Sequence, residues 1–575
     1  MWPLFRAICL AVLAASGLAQ GQVTAPLASG PWSGNVTATS ATAAVRLNAG
    51  GLSVRLVLSR NADLSAPSYF GPVTTQTATG NMAKIDATGL LPATTYYYAF
   101  EVSGVLRAET AARGSFRTFP LGAASFKLAF ASCGDFHATN QTAYDAILAE
   151  QPAVFIHMGD FHYSDINSTN VADYRANYDS VLNQPNEAAL YRGVALAYMW
   201  DDHDYCGNGS DTTSVGRDTA RQAYHETVPH YPLAATAGGT LSQAFTIGRV
   251  RVIMTDLRSG ADPRGQADTA AKSHLSAAQK AWFKQELISA RDAGFPLILW
   301  VCTNPWIGAA GSGDDDWSVF ATERRELANF IRDNSIRNLV LLSGDMHALA
   351  YDDGTHSDYA DGGGAPMVVL HAAALTSNGS TKGGPYTGGP VPGSQQYGIL
   401  EVTDNGGPSV QCRYTGKRVG EGAKLTFAFA ATSGSNPGYV AAAPSALINI
   451  SARGRIATAT DNNIVGFVIS GSVPRNILIR AVGPSLTPYG VADALPDPAF
   501  KLYQGQTVLA ANDNWGDAAA TLAGTFTRVG AFAYGASTSK DAAAMVTLVP
   551  GVYSVVATSA DGGTGTVLVE VYDVR

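Results

Sequence analysis

Apolar and polar residues alternate differently in three parts of the 575-residue chain. Residues 21–118 and 445–575 show period-two alternation between turns rich in Gly, Asn, Ser and Pro, which predicts β-strands with one buried face. Residues 119–430 alternate short apolar runs with amphipathic stretches such as Leu275–Gly294, which predicts strands followed by helices. We therefore predict two all-β domains on either side of a central α/β domain.

The first twenty residues carry one positive charge at Arg6, followed by an apolar stretch from Ala7 to Leu18 and then by small residues typical of a cleavage site. This pattern predicts a Sec-type signal peptide over residues 1–20 and an exported protein, whether periplasmic, cell-surface or secreted. No later run reaches the ~18 apolar residues of a membrane-spanning helix, so we expect no transmembrane segment. The Gly, Ser and Pro content of residues 431–444 predicts a linker.

Composition limits the partners. The net charge is −8 and no basic run is present, which argues against binding of a nucleic-acid backbone but not against a small phosphorylated substrate. Cys9 leaves with the predicted signal peptide, and four cysteines remain that allow three pairings, between which the sequence does not choose: Cys133, Cys206, Cys302 and Cys412.

Four short motifs concentrate Asp, His and Cys in the central region: SCGD (132–135), HMGDFHY (157–163), WDDHDYCGN (200–208) and SGDMH (343–347). The first, second and fourth follow apolar runs that predict buried strands. Since ligands of α/β sheets gather where strands end, these residues are expected together at one edge of a sheet. Such a set predicts a polynuclear metal centre, which is suited to hydrolysis of phosphate esters.

Asp160 is the predicted bridging ligand, because it follows a strand and Gly159 permits close approach of the backbone to a metal. The phenolate of Tyr163 and the thiolate of Cys133 favour iron at one position. The oxygen donors of Asp202 and Asn208 suit calcium, magnesium or manganese at neighbouring positions. Asp345 and His347 are further predicted ligands, and the sequence does not divide these ligands between the ions.

Three residues are predicted to take part in catalysis. Asp160 would hold the metal that binds the attacking water. His203 would hydrogen bond a phosphoryl oxygen or protonate the leaving group. Arg258, in MTDLRSG, is a candidate for bidentate binding of phosphate oxygens. The predicted reaction is direct attack of a metal-bound hydroxide on phosphorus.

These motifs resemble, in order, those of the PhoD-like alkaline phosphatase family of the calcineurin-like metallophosphoesterase superfamily, over about residues 25–430. The resemblance implies a four-layer α/β/β/α catalytic domain, ferric iron held by Cys133, Asp160 and Tyr163, and calcium ions, with Mn, Mg or Zn as alternatives. It also implies an N-terminal sandwich. Leu90–Val102 resembles the tyrosine corner of a fibronectin type III or immunoglobulin-like domain.

The predicted layout is therefore a signal peptide (1–20), an N-terminal fibronectin type III/Ig-like β-sandwich (21–118), a PhoD-like metallophosphatase domain (119–430), a linker (431–444) and a C-terminal β-sandwich (445–575). The predicted activity is hydrolysis of phosphate mono- or diesters, with phospholipid and extracellular polymer left open as substrates or partners. The alternatives are an enzyme like purple acid phosphatase, or a non-catalytic surface adhesin or binding protein with a relic phosphatase domain.

Overall fold

The computed structural model describes residues 23–236, 238–311, 315–433, 449–469 and 475–574. The chain divides into two compact units, with the boundary between Tyr439 and Val440. The predicted signal peptide and most of the predicted linker lie outside the described residues. The first two residues of that linker, Ala431 and Thr432, belong to the last strand of the first unit.

The strands of the first unit follow one another as β1 (Leu27–Gly34), β2 (Ser40–Leu47), β3 (Ser53–Ser59), β4 (Ser68–Thr74), β5 (Met82–Thr88), β6 (Thr95–Val102), β7 (Val105–Arg107), β8 (Gly114–Arg117), β9 (Phe126–Ala131), β10 (Phe155–Met158), β11 (Leu196–Met199), β12 (Gln243–Ile247), β13 (Val250–Met254), β14 (Leu297–Cys302), β15 (Leu339–Ser343), β16 (Ala348–Asp352), β17 (Val368–His371), β18 (Gly388–Pro392), β19 (Gln396–Thr403), β20 (Ser409–Arg418) and β21 (Gly422–Thr432).

Its α-helices are α1 (Thr142–Glu150), α2 (Val171–Asn183), α3 (Pro185–Gly193), α4 (Asp202–Tyr205), α5 (Arg217–Thr227), α6 (Ala277–Asp292) and α7 (Ala321–Asp333). Short 3-10 helices span Thr77–Thr79, Thr110–Ala112 and Trp317–Phe320. The predicted helix in Leu275–Gly294 is α6, which begins after Ser276, whose hydroxyl accepts a hydrogen bond from the Gln279 amide.

The first sheet has nine strands in the order β21-β20-β19-β9-β10-β11-β1-β2-β5. Strands β9, β10 and β11 are parallel neighbours. Strand β1 joins β11 through the pairing of Gly34 with Leu196, so the N-terminal strands extend the sheet of the central region. The remaining N-terminal strands form a separate sheet in the order β4-β3-β6-β7, with β8 paired to β6.

The second sheet has the order β12-β13-β14-β15-β17-β16-β18, with parallel pairing from β13 to β17. Strand β14 is buried on both faces: Leu297, Leu299 and Val301 belong to the same apolar core as the first sheet, while Ile298 and Trp300 pack with residues of α6 and α7. A strand covered on both faces needs a continuous apolar run, as in LILWVC. The two sheets thus face each other, and α6 and α7 cover the second.

The second unit is an antiparallel β-sandwich with one α-helix. Its elements are β22 (Asn449–Ile456), β23 (Asn463–Ile469), β24 (Arg475–Val482), β25 (Pro498–Gln504), β26 (Thr507–Asn512), α8 (Ala519–Val529), β27 (Ala542–Leu548), β28 (Gly551–Ser559) and β29 (Gly565–Val574), with 3-10 helices at Pro484–Tyr489 and Trp515–Ala518. The sheets run β22-β29-β24-β27 and β23-β28-β25-β26. The predicted combination of α/β and all-β regions is therefore confirmed; the assignment of individual domains stays a prediction.

Two further findings concern the described residues. The four described cysteines are all free thiols and all buried. Among the helices described, none is long and apolar enough to cross a membrane.

The N-terminal sheets contain the contact expected of a tyrosine corner. The Leu91 amide donates a hydrogen bond of 2.9 Å to the hydroxyl of Tyr96, five residues further on. Tyr96 is buried, and its ring stacks on Phe116 at 5.8 Å between centroids. This bond fixes the turn that leads from Leu90 into β6.

Replacing Tyr96 with Phe should destabilise this region by about 1 kcal/mol, because the Leu91 amide loses its acceptor while the ring packing is kept. The measurement is the unfolding midpoint in urea, monitored by tyrosine fluorescence. The neighbouring Tyr97→Phe change is the control, since no hydrogen bond of the Tyr97 hydroxyl is found among the described residues, and it should leave the midpoint unchanged. An equal midpoint for both variants would contradict the assignment.

Candidate metal centre

All four motifs directly follow strands, at the carboxyl ends of two facing sheets. Cys133, Asp160 and Asp202 lie just beyond β9, β10 and β11 of the first sheet. Asp345 and His347 lie beyond β15 of the second sheet. The expectation of a single sheet edge is therefore corrected: the ligands converge from two sheets that share one core. The third motif also follows a strand, β11, whose four residues made its apolar run hard to recognise.

Three of the predicted ligands have unusual backbone conformations. Cys133, Asp160 and Asp345 have φ values of 65°, 58° and 59°, in the left-handed region that side chains with a Cβ rarely adopt. Each such residue costs about 1–2 kcal/mol, which the surrounding sheets must offset. Strain repeated at the ends of three strands indicates that the position of these side chains is under functional constraint.

Gly159 is required by a neighbouring side chain. Its φ is 94°, and a Cβ added there would lie 2.4 Å from the Cβ of Asp201. Gly159 therefore lets the end of β10 pass beside Asp201 at the end of β11. The predicted close approach of the backbone to a metal stays a prediction. A larger residue at position 159 would push the carboxylates of Asp160 and Asp201 apart.

Asp160 lies at the middle of the cluster. Among the described residues, three groups place candidate ligand atoms within 4.8 Å of one another, and all three include it: Cys133 with Asp160 and His347; Asp160 with Asp202 and His203; Asp160 with Asp201 and Asp345. Its Oδ2 accepts a hydrogen bond of 3.0 Å from the Tyr163 hydroxyl. Its Oδ1 is buried and has no hydrogen-bond partner within the described ranges. That orphaned oxygen fits a metal ligand.

Cys133, Tyr163 and His347 surround one side of Asp160. The Nδ1 of His347 lies 2.6 Å from the carbonyl oxygen of Asn378, so Nδ1–H donates there and Nε2 keeps its lone pair. That Nε2 lies 3.0 Å from the Tyr163 hydroxyl. Burial raises the pKa of the Cys133 thiol well above its ordinary value, and the charges of Asp160 and Asp345 raise it further. The thiol needs a cation to become a thiolate.

Asp201 and Asp202 form the other side. The carboxylate of Asp202 accepts hydrogen bonds from the His203 amide at 3.0 Å and from the Gly209 amide at 2.6 Å. Burial alone would raise the pKa of Asp202, but Arg258 and His203 hold it below its ordinary value. Burial raises the pKa of Asp201, even against the pull of Arg258.

His203 is held at one nitrogen. Its Nδ1 lies 2.5 Å from Oδ1 of Asp165, and its ring packs on Tyr163 with 4.1 Å between centroids. Burial alone would lower the pKa of His203, but the charges of Asp160 and Asp202 outweigh it and raise the pKa to about 9. The imidazole is thereby oriented, with Nε2 left for a further contact.

Arg258 has other contacts than those expected of a phosphate ligand. Its Nε donates to Asp201, and its Nη1 lies 3.1 Å from an oxygen of Asp315. A third carboxylate, that of Asp202, lies 3.7 Å from its Nη2. Because the side chain is only 3 % exposed and paired with carboxylates, the geometry favours a role in positioning these acids. Direct binding of phosphate by Arg258 stays a prediction.

Asn208 is exposed, and no hydrogen bond of its side chain to the predicted ligands occurs among the described residues. It stands one residue before Gly209, whose amide binds Asp202. Its role as a ligand also stays a prediction.

Sequence reasoning missed three residues of the cluster. Asp201 was overlooked because only the second Asp of WDDHD was predicted as a ligand, although Asp201 shares the site with Asp160 and Asp345. The Nζ of Lys382 lies 2.7 and 2.8 Å from the two carboxylate oxygens of Asp345. Asn304, at the end of β14, donates to Asp201 at 3.3 Å and to Asp345 at 3.4 Å. Asn304 closely follows an apolar run, as Asp201 does; nothing in the segment around Lys382 pointed to the cluster.

The charge of the cluster favours bound cations. Burial and the nearby charge of Asp202 raise the pKa of Asp160 well above its ordinary value. Carboxylates held this close repel one another when both are ionised, and a bound cation removes that repulsion. The donor set of thiol, phenol, imidazole and carboxylates thus fits metal ions.

Comparisons with known proteins identify the family of the region that contains this cluster. Residues 128–398 match the family model of the PhoD-like phosphatases, and this range contains every predicted ligand. The resemblance inferred from the motifs is thereby confirmed. Alkaline phosphatase D of Bacillus subtilis (strain 168) is 25 % identical over 323 residues, which cover 48 % of this chain and 54 % of the relative. The chain thus matches about half the length of that relative.

The fold also resembles solved structures. A structure of PhoD has a TM-score of 0.55 at 18 % identity and covers 71 % of this chain and 91 % of that chain. A purple acid phosphatase from yellow lupin (Lupinus luteus) seeds has a TM-score of 0.48 at 12 % identity, with 70 % and 74 % coverage. The likeness to PhoD shows a shared fold.

Metal affinity should fall steeply as the pH falls. The pKa values of Asp160, Asp201 and Cys133 are raised, so these groups hold protons that a metal must displace, and protons compete better at lower pH. Calorimetric titration of metal-depleted protein with Mn²⁺ at pH 6 and pH 8 should show tighter binding at pH 8. It should also show release of about one proton or more, read from buffers of different ionisation enthalpy. Affinity independent of pH would contradict the ligand set.

Replacing Lys382 with Met should strengthen metal binding by about tenfold, because the ammonium no longer competes for both oxygens of Asp345. The measurement is the Mn²⁺ dissociation constant from competition with a fluorescent chelator. Lys424→Met is the control and should not change the constant, since the ion pair of Lys424 among the described residues is with Glu421. Weaker binding in the Lys382 variant would instead show that the ammonium supports the site.

Proposed function

We propose that this chain, whose residues 128–398 match the family model of the PhoD-like phosphatases, is an exported metal-dependent phosphoesterase that hydrolyses phosphate mono- or diesters. The observation that carries the proposal is the position of Asp160. Its carboxylate belongs to each group of candidate ligands among the described residues, and one of its oxygens is buried without a partner. A shared carboxylate between adjacent cation positions is the arrangement required of a polynuclear centre.

We assign ferric iron to the side of Asp160 that carries Cys133, Tyr163 and His347. A thiol and a phenol are ligands that suit iron and do not suit calcium. Calcium, or Mn, Mg or Zn in its place, is assigned to the side formed by Asp202 and its neighbours, with Asn208 as a further ligand. When bound, such ions neutralise phosphate charge and lower the pKa of a coordinated water.

The chain's own residues orient the substrate and move protons. His203, fixed by Asp165 at Nδ1, can donate from Nε2 to a phosphoryl oxygen or to the leaving oxygen. Asp201 is held in place by Arg258, Thr303 and Asn304, which prevents it from turning away from Asp160. These contacts fix the cluster before substrate binds, which is the form of preorganisation that lowers the barrier to reaction.

Export is part of the proposal and rests on the signal-peptide pattern of residues 1–20. The substrates in question are small phosphate esters, with phospholipid or extracellular polymer as larger forms of the same chemistry. The completeness of the ligand set is the reason for preferring an enzyme over a binding protein with a relic phosphatase domain.

Replacing Asp160 with Asn should lower turnover by about a thousandfold or more while the fold is kept, because the shared anionic ligand is lost. The measurement is release of nitrophenol from matched aryl mono- and diesters by the metal-loaded protein, with and without chelator. Wild-type turnover should be abolished by chelator, and the ratio of the two rates gives the preferred ester.

Asp218→Asn is the matched control, because Asp218 is 76 % exposed and its ion pair among the described residues is with Arg221 on the surface of α5. It should keep wild-type rates. Turnover by the Asp160 variant at the control rate, or turnover unaffected by chelator, would rule out the proposed centre. No turnover by the wild type with iron and calcium supplied would favour the binding-protein alternative.

A further inference from the structure

A half-open cavity of about 1250 Å³ lies in the first unit, between β8, the end of α1 and the end of α3. Its lining includes Ser115 and Arg117 from β8, Leu148 from α1, and Arg192 from α3. None of the ligands of the metal centre lines it. The cavity is therefore a separate feature, and the charges on its walls decide what it could hold.

The Arg192 side chain is largely buried, and it has no counter-charge among the described residues. The residue is 9 % exposed. Within the described parts of the chain, no carboxylate lies within ion-pair distance of its guanidinium, and no side-chain hydrogen bond of it is found. Burial lowers the pKa of Arg192, in keeping with a charge that the protein leaves uncompensated. A guanidinium that lines a cavity without a carboxylate partner leaves N–H donors with which an anion could pair.

Two neighbouring groups do not compensate this charge. Arg192 lies in the last turn of α3, where the helix dipole offers about half a negative charge, less than the guanidinium carries. Tyr98, whose hydroxyl lies 3.5 Å from the Arg192 carbonyl oxygen, is fully buried, and burial raises its pKa further above neutral pH. The phenol therefore stays uncharged and cannot serve as a counter-ion.

Two more arginines line the same cavity. Arg113 donates to the carbonyl oxygens of Ala108 and Ala62, and Arg117 donates to the hydroxyl of Thr95 at 3.5 Å. Neither forms an ion pair with a carboxylate among the described residues. The acidic residue of the lining, Glu109, is paired with Arg107 at 2.8 Å. The lining is thus cationic in a chain whose net charge is −8.

We propose that this cavity binds a tetrahedral oxyanion, a phosphate or sulfate group, with Arg192 as the buried ligand and Arg113 and Arg117 at the rim. A guanidinium presents a planar fork of N–H donors that matches two oxygens of such a group, and the resulting hydrogen bonds are charge-assisted. The cavity is larger than one oxyanion, so the group can belong to a bigger molecule. The proposal does not depend on catalysis at the metal centre.

The test is calorimetric titration of the full-length, metal-loaded protein with sulfate and with phosphate at constant ionic strength. Sulfate is the primary probe, because it is not the product of a phosphoesterase. Wild-type protein should bind sulfate, and Arg192→Gln should bind it at least about tenfold more weakly. Arg337→Gln, at an exposed arginine on the loop before β15, is the control and should bind as the wild type does.

Two further variants test whether sulfate binds in the cavity rather than at the metal centre. Arg113→Gln combined with Arg117→Gln leaves α3 untouched and should also weaken sulfate binding, whether or not the Arg192 variant folds. Asp160→Asn should leave sulfate binding unchanged, since the metal centre is not involved. Absence of sulfate binding by the wild type, equal binding by the arginine variants, or loss of binding in the Asp160 variant would each overturn the proposal. Tighter binding of phosphate than sulfate by the wild type, lost in the Arg192 variant, would identify phosphate as the natural group.

Discussion

The first unit must hold together four buried carboxylates that repel one another when they are ionised. Asp160, Asp201, Asp202 and Asp345 arrive from three strands of two sheets and are held so close that burial and neighbouring charge raise the pKa values of two of them. Arg258 and Lys382 offset part of that charge, and the backbone strain at Asp160 and Asp345 is the conformational cost of the arrangement. A cluster like this is stable only inside a rigid scaffold, which the close-packed core between the two facing sheets provides.

The sequence predicted the parts of this site that obey local rules. A motif that follows an apolar run identifies a strand end, so Cys133, Asp160 and Asp345 could be placed from the sequence alone. Contacts between distant segments could not be predicted in this way. The ammonium of Lys382 meets Asp345 across 37 residues, and Arg258 meets Asp201 across 57 residues, through pairings that only the tertiary fold decides.

The same limit applies to the fold. Alternation of apolar residues predicted strands in residues 21–118, but it contains no information on which strands join which sheet. The pairing of Gly34 with Leu196 makes β1, β2 and β5 part of the central sheet rather than of a sheet of their own. A period-two pattern shows which face of a strand is buried, but not which strands hydrogen bond along its edges. The N-terminal and central regions meet along such edges.

The position of β9 in the first sheet constrains the order in which the chain can fold. Strand β9 lies between β10, which follows it closely, and β19, whose residue Ile399 pairs with Ala129, 270 positions earlier in the chain. Pairings so distant in sequence are slow to form, because a long loop must close before any contact is gained. During synthesis from the N-terminus, the first sheet stays incomplete until about residue 432, the end of β21, has emerged. A chain that crosses a membrane unfolded would therefore complete this sheet, and with it the surroundings of Cys133, only after most of the first unit has reached the other side.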